Sequence, residues 1–252
     1  MNLEKIASHL KKHCVIKALI IIAFYFIMMF IISDYIIQPL FIKIIENASG
    51  IKTSEMTDAS LSNISALYNI IIYAVLFIPL FIIYSFELSY DMYSFMSIKP
   101  YRKQLLIFFG IFYVFTIVGS ILSTIVYKDS SSVNQESINA TIKNSSFGFV
   151  AMFITAVLIG PIVEELVFRQ AFFDVFENKY LSIGISSLFF ASIHVISSIG
   201  KSPLYMVSIT IPYIASGLAF GIIYEKSHRN IWLSIIVHAA TNAISLIIVM
   251  LA

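Results

Sequence analysis

Two adjacent carboxylates, Glu164 and Glu165, stand inside an apolar stretch from Phe147 to Phe168, and Arg169 follows the second by four residues. An ionised carboxylate in hydrocarbon costs at least a few kcal/mol, so a pair of them needs partners or a task. The i, i+4 spacing lets Glu165 pair with Arg169 on one helix face. Glu164 then points about 100° away, free of that pairing and available as a reactive carboxylate. Burial and a nearby cation push a carboxyl's basicity in opposite directions, so such a site can hold one glutamate as a base near neutral pH. His194 follows Phe190 by one helical turn, and His238 precedes Asn242 by the same spacing. Taken singly, each is as readily an interhelical hydrogen-bonding group. Brought into one pocket they suit water activation, with a carboxylate to take a proton and fixed donors for charge developing on a carbonyl oxygen.

The elements that position these residues must lie in a bilayer. Of the 252 residues 59% are hydrophobic and only 12% charged, whereas soluble domains run about 45–50% apolar and about 25% charged. A spanning helix needs about 20 mostly apolar residues. Seven stretches qualify or nearly so: about 15–37, 66–86, 104–127, 147–176, 181–199, 204–224 and 230–251. The expected fold is an all-α polytopic membrane bundle. Residues 1–146 would form a basic N-terminal segment and three spans, and 147–252 a four-helix core carrying the chemistry. The first apolar run is too long for a signal-peptide core of about 7–15 residues and has no small-x-small cleavage site after it, so it reads as a membrane helix. The Ser/Asn-rich stretches 38–65 and 128–146 read as surface loops. No internal repeat is visible.

Lys and Arg placement sets the orientation. A cytoplasmic N-terminus puts eleven of them inside and five outside, at Lys43, Lys52, Lys128, Lys143 and Lys201. A net charge of +2, spread along the chain, gives no nucleic-acid footprint. Cys14 is the one cysteine, which excludes a disulfide framework and a cysteine metal site. His9, His13 and His228 read as solvated residues.

Gly160-Pro161 stands directly before the acidic pair. Proline deletes a backbone donor and clashes one turn back, which frees carbonyls in a place tolerable only where protein or water lines the space. Depth is a second constraint. At about 1.5 Å per residue, His238 lies about 12 Å in from Asn230, and His194 about 21 Å in from Tyr180. Glu164 reaches a matching depth, about 18 Å, only if the helix continues past Arg169 to Phe176. The reading therefore requires Arg169 to be submerged and Phe172, Phe173 and Phe176 to prolong the helix.

Glu164-Glu165-x-x-x-Arg169, Phe190-x-x-x-His194 and His238-x-x-x-Asn242 together resemble, in order, the motifs of the CAAX-processing and bacteriocin-processing (CPBP, or Abi) intramembrane proteases. The resemblance covers roughly Phe147 to Ala252. It implies a helical membrane bundle with a polar cavity open toward the cytoplasm, and hydrolysis of a peptide bond by activated water. Carried over by position, Glu164 would be the general base and His194 would hold and polarise the water. His238 and Asn242 would stabilise the oxyanion, with Glu165 and Arg169 in support. The substrate would be a peptide precursor or small membrane protein at the lipid bilayer, in a bacterial cell membrane.

Members of the family are commonly called metalloproteases, and Glu164, His194 and His238 would offer a zinc ion three ligands and an open position. No HExxH motif is present, and a glutamate–histidine site activates water unaided, so the metal-free version is preferred. Two rival readings use the same fold: a non-catalytic immunity or regulatory factor that binds a partner, and a small transporter or proton relay. The latter would usually carry internal repeats.

Overall fold

The computed structural model describes residues 3–97, 99–128 and 131–251. Side chains of 3–13 and 99–102 lie outside the described set, and with them His9, His13, Lys5, Lys11, Lys12, Lys99 and Arg102. Every regular element among the described residues is helical. Seven helices are long and apolar enough to cross a membrane: Cys14–Ser49, Asp58–Ile83, Lys103–Val126, Ser146–Val175, Lys179–Ser198, Pro203–Lys226 and Ile231–Leu251. These are referred to below as the first to seventh spans.

Two expected loops are largely helical. The first span runs on through Gln38–Ser49 and is stopped by Gly50, whose φ of 70° is the left-handed conformation that ends helices. The second span starts at Asp58, where the Thr57 side chain accepts the Ser60 amide as an N-cap. Only residues 50–57 remain as a connection, with a short turn at Thr53–Glu55. The stretch 128–146 contains the helix Val133–Asn144, capped by Ser132, which accepts from the Gln135 amide. That helix is pinned to the bundle. Ser132 and Tyr213 share a hydrogen bond of 2.8 Å, and the Val133 amide donates to Ser198 Oγ at 3.2 Å.

After the second span the chain breaks at Tyr84 and forms the helix Ser85–Ser97. Phe86, Tyr90 and Tyr93 are exposed on it, spaced as one face and suited to the membrane interface. Its other face is latched to the seventh span. Asp91 Oδ2 accepts the Ile231 amide at 2.9 Å, Asn230 Nδ2 donates to the Asp91 carbonyl at 2.8 Å, and Trp232 Nε1 donates to the Leu88 carbonyl at 2.7 Å.

The core is shared between the two halves of the chain. Ala18, Tyr25, Leu76 and Leu80 from the first two spans are buried in one cluster with Phe168, Phe172, Phe190 and Ile231. Close approach of the fifth and sixth spans rests on Gly217, where a Cβ would come 2.8 Å from the Ser187 Cα.

Candidate active site

The fourth span is not a uniform α-helix. Its segments Ile154–Ile159 and Leu166–Ala171 are π-helical and bracket the six α-helical residues Gly160–Glu165. The Gly160 amide bonds back five residues to the Thr155 carbonyl. The next partner in that register would be Pro161 to Ala156, and proline has no N–H to give. Asn242 supplies the missing donor, with Nδ2 2.8 Å from the Ala156 carbonyl. Gly160 also keeps the wall thin, since a Cβ there would lie 2.7 Å from the Thr155 carbonyl oxygen and 3.4 Å from the Tyr73 ring.

Arg169 is fully buried, and Phe172 and Phe173 continue the helix as required, with Phe176 as its terminal cap. Arg169 Nε lies 3.2 Å from Glu165 Oε2, without the alignment of a hydrogen bond. Its guanidinium carbon sits 5.1 and 5.4 Å from the ring centres of Phe190 and Phe220, within cation–π range of both. Glu165 is thoroughly neutralised. Besides Arg169, it accepts from Ser234 Oγ and lies 3.0 Å from His238 Nδ1. A carboxylate can only accept, so Nδ1 carries the proton in that contact.

Glu164 faces the other way. It lines a cavity of about 210 Å³ together with His194, His238 and Asn242, ample for several waters. Tyr73, from the second span, donates to its Oε1 at 2.9 Å. Oε2 stands 3.8 Å from His238 Nε2. His238 is held by stacking on Phe220, with ring centres 4.4 Å apart, and His194 by stacking on Tyr213 at 4.6 Å. His194 Nδ1 lies 2.8 Å from the Phe190 carbonyl. That contact assigns the proton to Nδ1 and leaves the Nε2 lone pair free to accept.

All six residues singled out in the sequence thus meet in one place, four on the cavity wall and Glu165 with Arg169 behind it. Tyr73 and Ser234 were not anticipated. A hydroxyl on a distant helix carries no spacing signal toward its partner. Among the described residues, no three His, Cys, Asp or Glu side chains form a ready metal-binding group.

The cavity runs toward the Val133–Asn144 helix, whose Asn134, Gln135, Ser137 and Thr141 line it. That helix connects the third and fourth spans at the end of the bundle opposite Cys14. A cytoplasmic N-terminus and a cytoplasmic cavity mouth therefore cannot both hold. Three candidate membrane crossings separate Cys14 from this helix.

Residues 146–244, which include every motif position, match the profile of the Rce1-like family, described as type II CAAX prenyl endopeptidase Rce1-like. Over those residues the chain is similar to the Rce1-like family. With its seven spans, the chain is a multi-pass membrane protein. It is 28% identical over 230 residues to an uncharacterized protein of Mycoplasma capricolum, an alignment covering 84% of this chain and 65% of that protein. It is 30% identical over 147 residues to the UPF0177 protein YvdC of Lactococcus lactis, covering 58% of this chain and 52% of that one. The matched regions thus span between about half and two thirds of these curated relatives. No solved structure matches the chain.

Proposed function

We propose that this protein is an intramembrane endopeptidase that hydrolyses a peptide bond of a membrane-associated or precursor peptide, with Glu164 as general base. The observation that carries the reading is the contrast between the two glutamates. Glu165 is occupied by Arg169, His238 and Ser234, whereas Glu164 keeps Oε2 toward a cavity that also holds two oriented histidines.

The chemistry follows from these groups. A water between Glu164 Oε2 and His194 Nε2 loses a proton to the carboxylate as its oxygen attacks the scissile carbonyl carbon. His194, accepting from the water's other hydrogen, fixes its direction. Negative charge moves to the carbonyl oxygen. A proton on Nε2 makes His238 a donor toward that oxyanion, while Glu165 beside Nδ1 stabilises the imidazolium. The second amide hydrogen of Asn242, the one not given to Ala156, is the other donor available. Glu164 then passes its proton to the amide nitrogen as the C–N bond breaks, releasing a carboxylic acid and an amine, between which the acid proton then passes to leave a carboxylate and an ammonium. No step requires a metal.

The test is cleavage of peptide precursors encoded beside this chain by purified protein in liposomes, read by mass spectrometry. Wild type should cleave at one position and Glu164→Gln should not, and a strong chelator should leave the rate unchanged. Chelator inhibition reversed by zinc would overturn the metal-free reading. Should both proteins cleave nothing yet confer the same cellular phenotype, the chain acts by binding a partner instead.

A further inference from the structure

The ends of the seven spans fall into two sets. Cys14, Ile83, Lys103, Val175, Lys179, Lys226 and Ile231 mark one end of the bundle; Ser49, Asp58, Val126, Ser146, Ser198, Pro203 and Leu251 mark the other. The first end holds ten Lys and Arg positions, from Lys5 to Arg229, while the second holds Lys43, Lys52, Lys128, Lys143 and Lys201. Arg169, sealed in the core, belongs to neither. Short loops rich in Lys and Arg stay in the cytoplasm, which assigns the first end there.

The cavity reaches the second end. From the level of Glu164 and His238 it passes Asn242 and Ser245 of the seventh span, and its rim is the Val133–Asn144 helix, where Ser137 is exposed. On the cytoplasmic side of Glu164 the path is closed by Phe168, Arg169, Phe172 and Tyr224, all buried. The rim is polar without being charged. Asn69, Asn134, Gln135, Ser137 and Ser245 line it, and no Lys, Arg or Asp does. Amides and hydroxyls of both donor and acceptor type match the backbone of an extended peptide.

We infer that the mouth of the cavity opens on the extracytoplasmic face, so that the peptide segment cleaved is one already across the membrane. What happens to that segment rests on the endopeptidase reading; the side from which it enters does not. The class of reaction upstream is then export of the precursor, and the released fragment is delivered outside.

Thiol accessibility reads the side directly. Cys14 is the native chain's single cysteine and is exposed. Ser137→Cys and Lys201→Cys, each in a Cys14→Ser background, put a thiol at the rim and at a neighbouring loop of the same end. In intact cells a membrane-impermeant maleimide should label both variants, and should label Cys14 only after the membrane is opened. Labelling of Cys14 in intact cells, with both variants protected until lysis, would overturn the inference. The same pattern is expected in the Glu164→Gln background. A protein that cleaves nothing would still report its orientation, and failure of the catalytic reading stays separate from failure of this one.

Discussion

Tyr73 and Glu164 lie 91 positions apart, and the phenol of one donates to the carboxylate of the other at 2.9 Å. The second span thereby reaches into a site whose motifs all belong to residues 146–244. With Oε1 held, only Oε2 is left to meet water. A hydrogen bond to a charged group contributes about 1.5–3 kcal/mol, so Tyr73→Phe should lower kcat about 10- to 100-fold. The ring packing is kept, so KM and the melting temperature should stay near wild type. Steady-state kinetics with a melting curve checks this, and an unchanged kcat would remove Tyr73 from the site.

Glu165 and Arg169 make a different demand. Removing one partner of a buried ion pair costs about 3–5 kcal/mol because the other charge is stranded. Arg169→Met should therefore destabilise the protein severely, and Arg169→Met with Glu165→Gln should recover much of the loss. Thermal unfolding in detergent reads both. A single variant as stable as the double would show that the pair is not coupled.

The repair of the proline break by Asn242 predicts a double-mutant cycle. Asn242→Ala leaves the buried Ala156 carbonyl without its donor, a cost of about 1–3 kcal/mol. In a Pro161→Ala background the new backbone N–H can serve that carbonyl, so the same substitution should cost less. A coupling energy above about 0.5 kcal/mol is expected for groups sharing one partner, and strict additivity would refute the repair.

Asp91 governs the latch at the start of the seventh span. Burial raises its carboxyl above the usual aspartate range, opposed by the hydrogen bond from the Ile231 amide and reinforced by nearby Glu87. A carboxyl whose folded pKa is raised contributes most below its unfolded value and loses that contribution as pH rises through the folded one. Thermal stability should fall over that interval in wild type and stay flat in Asp91→Asn, which keeps an oxygen for the amide. Asp91→Ala should lose about 1 kcal/mol at any pH, as for a removed cap.

Much of this arrangement was written in local spacing. Apolar length locates seven spans, and i, i+4 spacing alone pairs Glu165 with Arg169. The helix Val133–Asn144 escaped because its Asn, Ser and Gln content lacks an apolar stripe, although Ser132-x-x-Gln135 is a capping signal. Gln38–Ser49 escaped for a related reason, its asparagine- and serine-containing end masking the apolar Leu40, Phe41 and Ile44. Tyr73 and Ser234 were illegible in principle. Their roles exist only once distant helices pack, and hydroxyls on apolar helices far more often serve their own backbone, as Thr155 and Ser187 do here. The end of the bundle toward which the cavity runs is illegible in the sequence too, because it depends on where the Val133–Asn144 helix packs.

The two π segments around Gly160–Glu165 leave a mark that genealogy should carry. A π turn holds one residue more than an α turn, and such a turn arises most simply by single-residue insertion into an older α-helix. Undoing the first one, by loss of one residue between Ile154 and Ile159, would rotate everything downstream by about 100° relative to the helix start. Glu164 would leave the cavity and Arg169 its slot between two phenylalanine rings. The length of the fourth span should therefore be held constant among descendants of this lineage, even where its apolar side chains are exchanged.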